Sequence, residues 1–221
     1  MGYNIAIDGP AGAGKSTIAK EVAKALSYIY VDTGAMYRAM AYFLIKNQVQ
    51  KEDTQKIEEL CTEAEITIVY ENGEQIVLLN GENVNAYLRT EEVSEMASVS
   101  SANAKVRAQL LQLQRTLAEK NNVVMDGRDI GTTILPNAQV KIYLTASADT
   151  RAKRRYDEMT EKGVAVSYEE IRQDIIERDE RDMNREVSPL RQAEDAVYLD
   201  SSEMNIEEVK ENILKIVRKR I

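Results

Sequence analysis

One segment near the N-terminus constrains this chain more than any other. It reads Gly9-Pro10-Ala11-Gly12-Ala13-Gly14-Lys15-Ser16 and fits the pattern G-x-x-x-x-G-K-[ST]. Apolar residues before it predict a buried strand over 4–8, and apolar residues at helical spacing after it predict a helix over 15–27. A glycine-rich turn between a strand and a helix lets backbone N–H groups converge on a phosphate beside the positive end of the helix. The segment therefore predicts a phosphate-binding loop rather than a chance run of glycines.

The phosphate-binding loop also predicts which groups act on a bound nucleotide. Lys15 would bridge to the γ-phosphate of ATP, and the hydroxyl of Ser16 would bind Mg²⁺ directly. Thr17 places a second hydroxyl next in the chain. The residues predicted to bind the ATP phosphates are Gly9, Pro10, Ala11, Gly12, Ala13, Gly14, Lys15, Ser16 and Thr17.

The order of the predicted elements indicates the fold class. Strand, loop, helix, strand and helix follow one another over residues 4–46, which is typical of a parallel α/β sheet. We expect an α/β fold with a P-loop NTPase core, a parallel sheet of about five strands and helices on both faces. The predicted core strands are 4–8, 28–31, 122–126, 139–145 and 196–200; the predicted core helices are 15–27, 35–46, 104–120, 149–161, 167–186 and 205–220.

One stretch interrupts this order. Residues 66–70 and 75–79 are two apolar runs joined by a short polar turn, which predicts a β-hairpin. A helical pattern over 91–102 follows the hairpin. The predicted division is a core of residues 1–62 and 103–221 with a β-rich insert of residues 63–102.

The composition excludes several classes of chemistry. The chain has 221 residues and no histidine, which excludes His-ligated metals and Ser-His or Cys-His nucleophile pairs. Its one cysteine, Cys61, excludes an internal disulfide and fits a reducing compartment. A net charge of −8 disfavours general nucleic-acid binding, and no apolar run approaches the length of a membrane span. We expect a cytoplasmic monomer without nucleic-acid or membrane partners.

An acidic residue ends another predicted strand. Asp126 follows Val123, Val124 and Met125, which puts it at the carboxyl edge of the sheet beside the phosphate-binding loop. Two interpretations fit this position. Asp126 either binds Mg²⁺ through a water molecule or caps the segment that follows.

A charged helix is predicted to turn one polar stripe inward. Ile171 and Ile175 begin the stripe by stepping four residues, and Arg178, Asp182 and Arg185 continue it by three, four and three. Arginines that face a protein interior need anions. The stripe therefore predicts either a phosphate-binding cleft or an internal network of ion pairs.

Four segments, taken together, resemble one known group of proteins. They read IDGPAGAGKST over 7–17, DTGAMYR over 32–38, DGRDIGT over 126–132 and ERDERDMNR over 177–185. Alone, the second segment is equally consistent with a helix cap followed by a surface arginine, Arg38, and with a functional role for that arginine. In this order and spacing, the four resemble the nucleoside monophosphate kinases, and within them the bacterial cytidylate kinases. The resemblance covers essentially the whole chain, including the β-rich insert.

The resemblance implies roles for the matching residues. It implies that Asp182 contacts the acceptor ribose, that Arg181 serves the donor side, and that the Thr33 hydroxyl stands where the family often has serine. The implied readers of the cytosine edge are Ser98, Arg107 and Asp129. The implied catalytic residues are Lys15, Arg128, Arg178, Arg181 and Arg185. The implied CMP-binding residues are Thr33, Arg38, Ser98, Arg107, Arg128, Asp129, Arg178, Asp182 and Arg185.

The resemblance also implies an activity. The γ-phosphoryl group of ATP, bound with Mg²⁺, would pass in line to CMP or dCMP in pyrimidine nucleotide metabolism. The insert would cover the acceptor site, and residues 151–163 would form a short mobile lid. A kinase for another nucleotide or small acid would differ only in its acceptor pocket. A GTPase switch would need an Asn-Lys-x-Asp motif, which the sequence lacks, and the acidic charge disfavours a nucleic-acid-binding protein.

Overall fold

The computed structural model describes residues 2–220 and has the predicted α/β architecture. Its strands are β1 Asn4–Asp8, β2 Ile29–Asp32, β3 Ile66–Glu71, β4 Glu74–Leu79, β5 Glu82–Asn83, β6 Val123–Gly127, β7 Val140–Thr145 and β8 Val197–Asp200. Its α-helices are α1 Lys15–Leu26, α2 Thr33–Lys46, α3 Thr54–Leu60, α4 Glu91–Ser100, α5 Ala104–Lys120, α6 Ala148–Glu161, α7 Tyr168–Asn184 and α8 Ile206–Arg218. Among these helices, none is both long and apolar enough to span a membrane within residues 2–220.

Five parallel strands form the central sheet, in the order β2-β6-β1-β7-β8. Asp8 of β1 lies opposite Gly127 of β6, and Asp32 of β2 lies opposite Asp126. The carboxyl ends of these strands therefore meet at one edge of the sheet. In open α/β sheets, ligands bind outside that edge, which is where the phosphate-binding loop emerges from β1.

Helices cover both faces of the parallel sheet, as the sequence predicts. On one face, α1 and α8 pack on β1 and β7 through residues such as Ile7, Ile18 and Ile213. On the other face, α2 and α5 pack on β6, with Met36 and Leu110 fully or almost fully buried. Burial of side chains of this size contributes about 1.5–3 kcal/mol each, so both layers hold the sheet in place.

The insert shares its core with α2 rather than packing on itself alone. The antiparallel strands β3, β4 and β5 form a separate small sheet. Val77 of this sheet and Val93 of α4 belong to the same buried cluster as Met40 of α2. The insert, which lies beyond the carboxyl edge of the parallel sheet, is therefore packed into the same hydrophobic core as α2.

Side chains of the insert also bind the backbone of β2. The Gln75 amide accepts the N–H of Asp32 at 3.0 Å and donates to the carbonyl of Asp32 at 3.2 Å. The Tyr70 hydroxyl donates to the Tyr30 carbonyl at 3.1 Å. These bonds fix the hairpin beside the outer edge of the parallel sheet.

The structure differs from the predicted elements in four main places. The α3 helix was not predicted, because Ile57 is its one buried residue and it therefore shows no apolar stripe. The α2 helix begins two residues earlier than predicted, since the Asp32 carboxylate accepts the N–H of Ala35 at 2.9 Å and caps it there. A π-helical turn, Ile130–Ile134, follows β6. The short strand β5 was also not predicted and lengthens the hairpin into a three-stranded sheet.

Candidate active site

The phosphate-binding loop joins β1 to α1 at the carboxyl edge of the sheet. Gly9 begins it with φ 151°, and a Cβ there would lie 1.9 Å from the Leu144 carbonyl oxygen, so only glycine fits this close passage. Lys15 lies in the first turn of α1 and is 6% exposed. Its Nζ donates to the Pro10 carbonyl at 2.6 Å, so the ammonium group is folded back over the loop.

Ser16 and Asp126 come together as the metal hypothesis requires. Ser16 Oγ donates to Asp126 Oδ2 at 2.9 Å, and the Tyr30 hydroxyl donates to Oδ1 at 2.9 Å. The alternative of a cap is excluded, because both carboxylate oxygens bind side chains from α1 and β2. Thr33 donates its hydroxyl to the Asp126 carbonyl at 2.7 Å. Thr17 lies exposed beside Ser16 in the first turn of α1.

The surroundings of Asp126 disfavour the ionised form of its carboxylate. Burial, followed by the negative charge of Asp32, raises the pKa of Asp126 to about 6. Hydroxyl and carboxylate oxygens are the ligands that Mg²⁺ prefers, usually with several waters and the substrate phosphates completing its shell. The adjacent oxygens of Ser16 and Asp126 therefore fit a magnesium ion bound together with a nucleotide.

The inward stripe of α7 meets the segment that follows β6. Arg128 Nε donates to Asp182 Oδ2 at 2.8 Å, and Asp182 is 5% exposed. Burial raises the pKa of Asp182, but Arg128, Arg178 and Arg185 outweigh it and hold that pKa below its usual range. The stripe thus faces inward as predicted, and part of it is an ion-pair network.

Asp129 is the centre of a second buried ion-pair group. One of its carboxylate oxygens pairs with Arg107, and the other lies 3.4 Å from Arg185 Nη2. The Arg107 guanidinium also lies 5.5 Å from the centre of the Tyr37 ring, within the range of a cation–π contact. Arg107 and Asp129, two of the three implied base readers, are therefore in direct contact.

Ser98 lies on α4 and contacts an arginine of α7. Arg181 Nη1 donates to Ser98 Oγ at 3.0 Å, and the Arg181 side chain is exposed. The insert and α7 are thereby joined across the cleft. Arg181, implied to serve the donor side, lies here beside an implied acceptor-side residue.

Four arginines form the cationic cluster of the site: Arg38, Arg128, Arg178 and Arg185. Two of them have buried donors without hydrogen-bond partners among residues 2–220. Arg38 pairs with Asp32 at 2.9 Å, yet its buried Nε has no hydrogen-bond partner among residues 2–220. The same holds for the buried Nε of Arg178 within those residues. Burial, followed by repulsion from Arg128, lowers the pKa of Arg178 to about 10. An anion bound between these side chains would relieve both the repulsion and the unpaired donors.

The cationic cluster reaches the phosphate-binding loop. Burial, followed by the positive charge of Arg128, lowers the pKa of Lys15 to about 7, although Asp126 and Asp182 oppose the shift. Lys15 therefore lies in the electrostatic field of Arg128, Arg178 and Asp182. The arrangement can bind two phosphorylated ligands, one over α1 and one over α7, with their phosphates adjacent.

One arginine of the site has a role that the sequence did not predict. Arg151 is 5% exposed and donates to the Ala11 carbonyl at 2.8 Å and to Asp179 at 2.6 Å. It thereby ties the phosphate-binding loop to α7. The predicted lid begins at this residue, but Arg151 and Ala152 are buried anchors, so only the exposed residues beyond them have room to move.

The geometry agrees with comparisons to known proteins. The family described as cytidylate kinase matches residues 5–219. The cytidylate kinase of Halalkalibacterium halodurans is 48% identical over 99% of this chain and 98% of its own length. That of Bacillus subtilis is 48% identical over 98% and 97%. That of Caldicellulosiruptor bescii is 50% identical over 98% and 96%.

The fold has a counterpart among solved structures. An uncharacterized protein from Eubacterium ventriosum superposes with a TM-score of 0.51 and 14% identity, over 98% of this chain and 99% of that one. Identity at this level supports the fold alone. The family match over nearly the whole chain, together with full-length relatives at about half identity, goes further. The chain belongs to the cytidylate kinase family.

Proposed function

We propose that this chain transfers the γ-phosphoryl group of ATP to CMP or dCMP and releases ADP with CDP or dCDP. Membership of the cytidylate kinase family supports the reaction. One structural observation carries it: the buried Nε of Arg178 has no hydrogen-bond partner among residues 2–220, and this half-buried arginine acts electrostatically on the lysine of a phosphate-binding loop. That juxtaposition suits two ligands that meet phosphate to phosphate.

The chemistry needs charge neutralisation more than proton transfer. The phosphate of CMP is already ionised at neutral pH, so its oxygen attacks the γ-phosphorus without a general base. This agrees with the absence of histidine from the sequence. Lys15 and the arginines stabilise the transferring group in line between donor and acceptor. The proposed acceptor-phosphate ligands are Arg38, Arg128, Arg178 and Arg185.

Magnesium is the proposed metal, held directly by Ser16 and through water by Asp126. The 2.9 Å contact between their side chains supports this pairing. The ion would neutralise charge on the phosphates of ATP. The chain's own part is to fix the two oxygens from α1 and β6, with Tyr30 orienting the carboxylate.

Acceptor selection is proposed to rest on three buried or half-buried groups. Asp129 would accept from the exocyclic amino group of cytosine, and Arg107 would donate to the ring and carbonyl acceptors, with Ser98 as a third contact. The mutual contact of Arg107 and Asp129 supports a shared role. Asp182 would accept a hydroxyl of the sugar.

Two segments are proposed to close over the bound substrates. The insert of residues 63–102 would cover the acceptor, and the exposed part of residues 151–163 would close over ATP to exclude water. We further propose a monomer in the cytoplasm that binds no nucleic acid. The unpaired, buried Cys61 and the charge of −8 support these expectations.

An acceptor panel tests the proposed function. ADP release would be measured with CMP, dCMP, UMP, AMP, GMP and shikimate at equal concentrations. We expect kcat/KM to be highest for CMP and dCMP, and to exceed that for UMP by at least about a hundredfold. A higher value for AMP, GMP or shikimate would reassign the acceptor pocket.

A further inference from the structure

Asp8 is a buried carboxylate with no assigned part in ATP or CMP binding. It ends β1 directly before Gly9 and is 5% exposed. Its Oδ1 accepts the backbone N–H of Ile130 at 2.7 Å, and its Oδ2 accepts that of Gly131 at 2.7 Å. Both carboxylate oxygens thus hold one short backbone segment that lies far along the chain.

Ile130 and Gly131 directly follow Arg128 and Asp129, two of the residues proposed to bind CMP. The parallel pairing of β6 with β1 fixes the backbone as far as Gly127. Asp8 then holds the start of the π-helical turn through its two hydrogen bonds. Arg128 and Asp129 therefore lie between two anchors, and β1 provides both of them.

The packing around this contact is close. A Cβ at Gly131 would lie 3.3 Å from Asp8 Oδ2 and 3.1 Å from Cδ of Lys141, tighter than most contacts of a real Cβ. Burial raises the pKa of Asp8 to about 7 in spite of the two hydrogen bonds. An apolar residue would avoid that burial cost, but it would leave the N–H groups of Ile130 and Gly131 unpaired.

We infer that Asp8 is a positioning residue for acceptor selection, acting through the backbone of Ile130 and Gly131 on the side chains of Arg128 and Asp129. The inference rests on the proposed function, since it concerns the residues that bind CMP. Both carboxylate oxygens of Asp8 bind the backbone N–H groups of Ile130 and Gly131, so its inferred role is indirect. Because Asp8 directly precedes Gly9, it also joins the segment of residues 128–131 to the phosphate-binding loop.

The variant Asp8→Asn tests this inference, because it keeps the size of the side chain but turns an amide N–H₂ toward one of the two backbone donors. We expect the KM for CMP to rise about tenfold and the preference for CMP over UMP to fall at least severalfold, since small displacements of binding groups have effects of this order. The Kd of a non-hydrolysable ATP analogue should change less than about threefold. Hydrogen exchange in a peptide covering residues 128–134 should accelerate.

Two further variants make the test specific. Ile213→Val, in the core on the opposite side of the sheet, should lower the melting temperature without changing the CMP preference. Gly131→Ala should disturb the same contact from its other side, with Asp8 intact, and reproduce the loss of preference. It also carries the test if Asp8→Asn fails to fold.

The outcomes separate this inference from the proposed function. An unchanged KM and preference in both Asp8→Asn and Gly131→Ala would overturn the positioning role. So would an equal loss of preference in Ile213→Val, because general loosening would then explain it. A wild-type protein that phosphorylates no cytidine nucleotide would instead refute the proposed function.

Discussion

Ser16 and Asp126 lie 110 positions apart in the chain, and their side chains meet at 2.9 Å. The contact joins the first turn of α1 to the carboxyl end of β6, so the sheet order itself brings the two oxygens together. Asp126 is held by this bond and by one from Tyr30, in a place where its charge is costly. The first prediction concerns that cost.

Asp126→Asn should stabilise the protein while lowering its activity. The raised pKa of about 6 means that the folded state binds a proton more tightly than the unfolded state, so ionisation of Asp126 destabilises the fold increasingly from about pH 4 and in full above about pH 6. The cost is of the order of 1–3 kcal/mol at neutral pH. Without metal or nucleotide, we expect the variant to melt higher than wild type at pH 7.5, with the difference shrinking as the pH falls through about 6 towards 4. A difference that grows on acidification would contradict the assignment.

Lys15→Ala should reduce kcat by on the order of a hundredfold or more, equivalent to about 3 kcal/mol of transition-state stabilisation. The physical reason is that the compact charge of Lys15 is proposed to follow the phosphoryl group as it moves. Lys24→Ala, at an exposed position in the last turn of α1, is the matched control. Single-turnover rates with CMP would measure the effect. Near-normal turnover would refute the proposed role of the loop.

Asp182→Ala should raise the KM for CMP and lower kcat together. The substitution removes the proposed sugar contact and leaves Arg128 without the carboxylate that holds it at 2.8 Å. Glu186→Ala, at an exposed position just beyond α7, is the control. Steady-state kinetics with CMP would measure both constants. Wild-type kinetics in the Asp182 variant would show that this carboxylate serves only the packing of α7.

Asp129→Ala should sharply reduce the preference for CMP over UMP. Uracil presents a carbonyl where cytosine has an amino group, so Asp129 would face it acceptor to acceptor, at a cost of roughly 1–3 kcal/mol. The affinity for ATP should change little. Asp174→Ala, at an exposed position on α7, controls for the loss of a charge. A wild-type protein that uses UMP as well as CMP would contradict Asp129 as the base reader.

Binding of both substrates should slow hydrogen exchange in the insert of residues 63–102 and in residues 153–163. The reason is that the site must exclude water from ATP, or the enzyme would hydrolyse it. Exchange would be compared with CMP, with a non-hydrolysable ATP analogue, and with both together. The α8 helix, on the far side of the sheet, is the internal reference. Equal exchange with and without the ligand pair would argue against closure.

The sequence predicted the parts of this structure that repeat a pattern. The spacing of Val106 and Leu110 predicted a helix over residues 104–120, and the observed α5 has these bounds. The glycine-rich loop lies between β1 and α1 as expected. The stripe from Ile171 to Asp182 also faces inward. Periodicity records which face of an element is buried, so elements with a clear face were predicted well.

Several residues that act across the fold were not predicted, because no local pattern marks them. Tyr30 and Arg151 look like ordinary strand and helix residues until β2 and α6 are placed beside β6 and the phosphate-binding loop. Asp8 lies within a recognisable sequence motif, yet its bonds to Ile130 and Gly131 depend on the pairing of β1 with β6. Such contacts depend on the order of strands in the sheet, and this order differs from the order of the strands along the chain. Local sequence patterns do not give it.

The bonds from the insert to β2 have a consequence for self-association. β2 is an outermost strand of the parallel sheet, and such a strand offers unpaired backbone groups to any other chain that can align with it. Its backbone groups at Tyr30 and Asp32 are instead occupied by the side chains of Tyr70 and Gln75. The hairpin thus protects this edge of the sheet from intermolecular strand addition. A shortened chain that lacked it would expose this strand and be prone to aggregate, whatever its remaining ability to bind ATP.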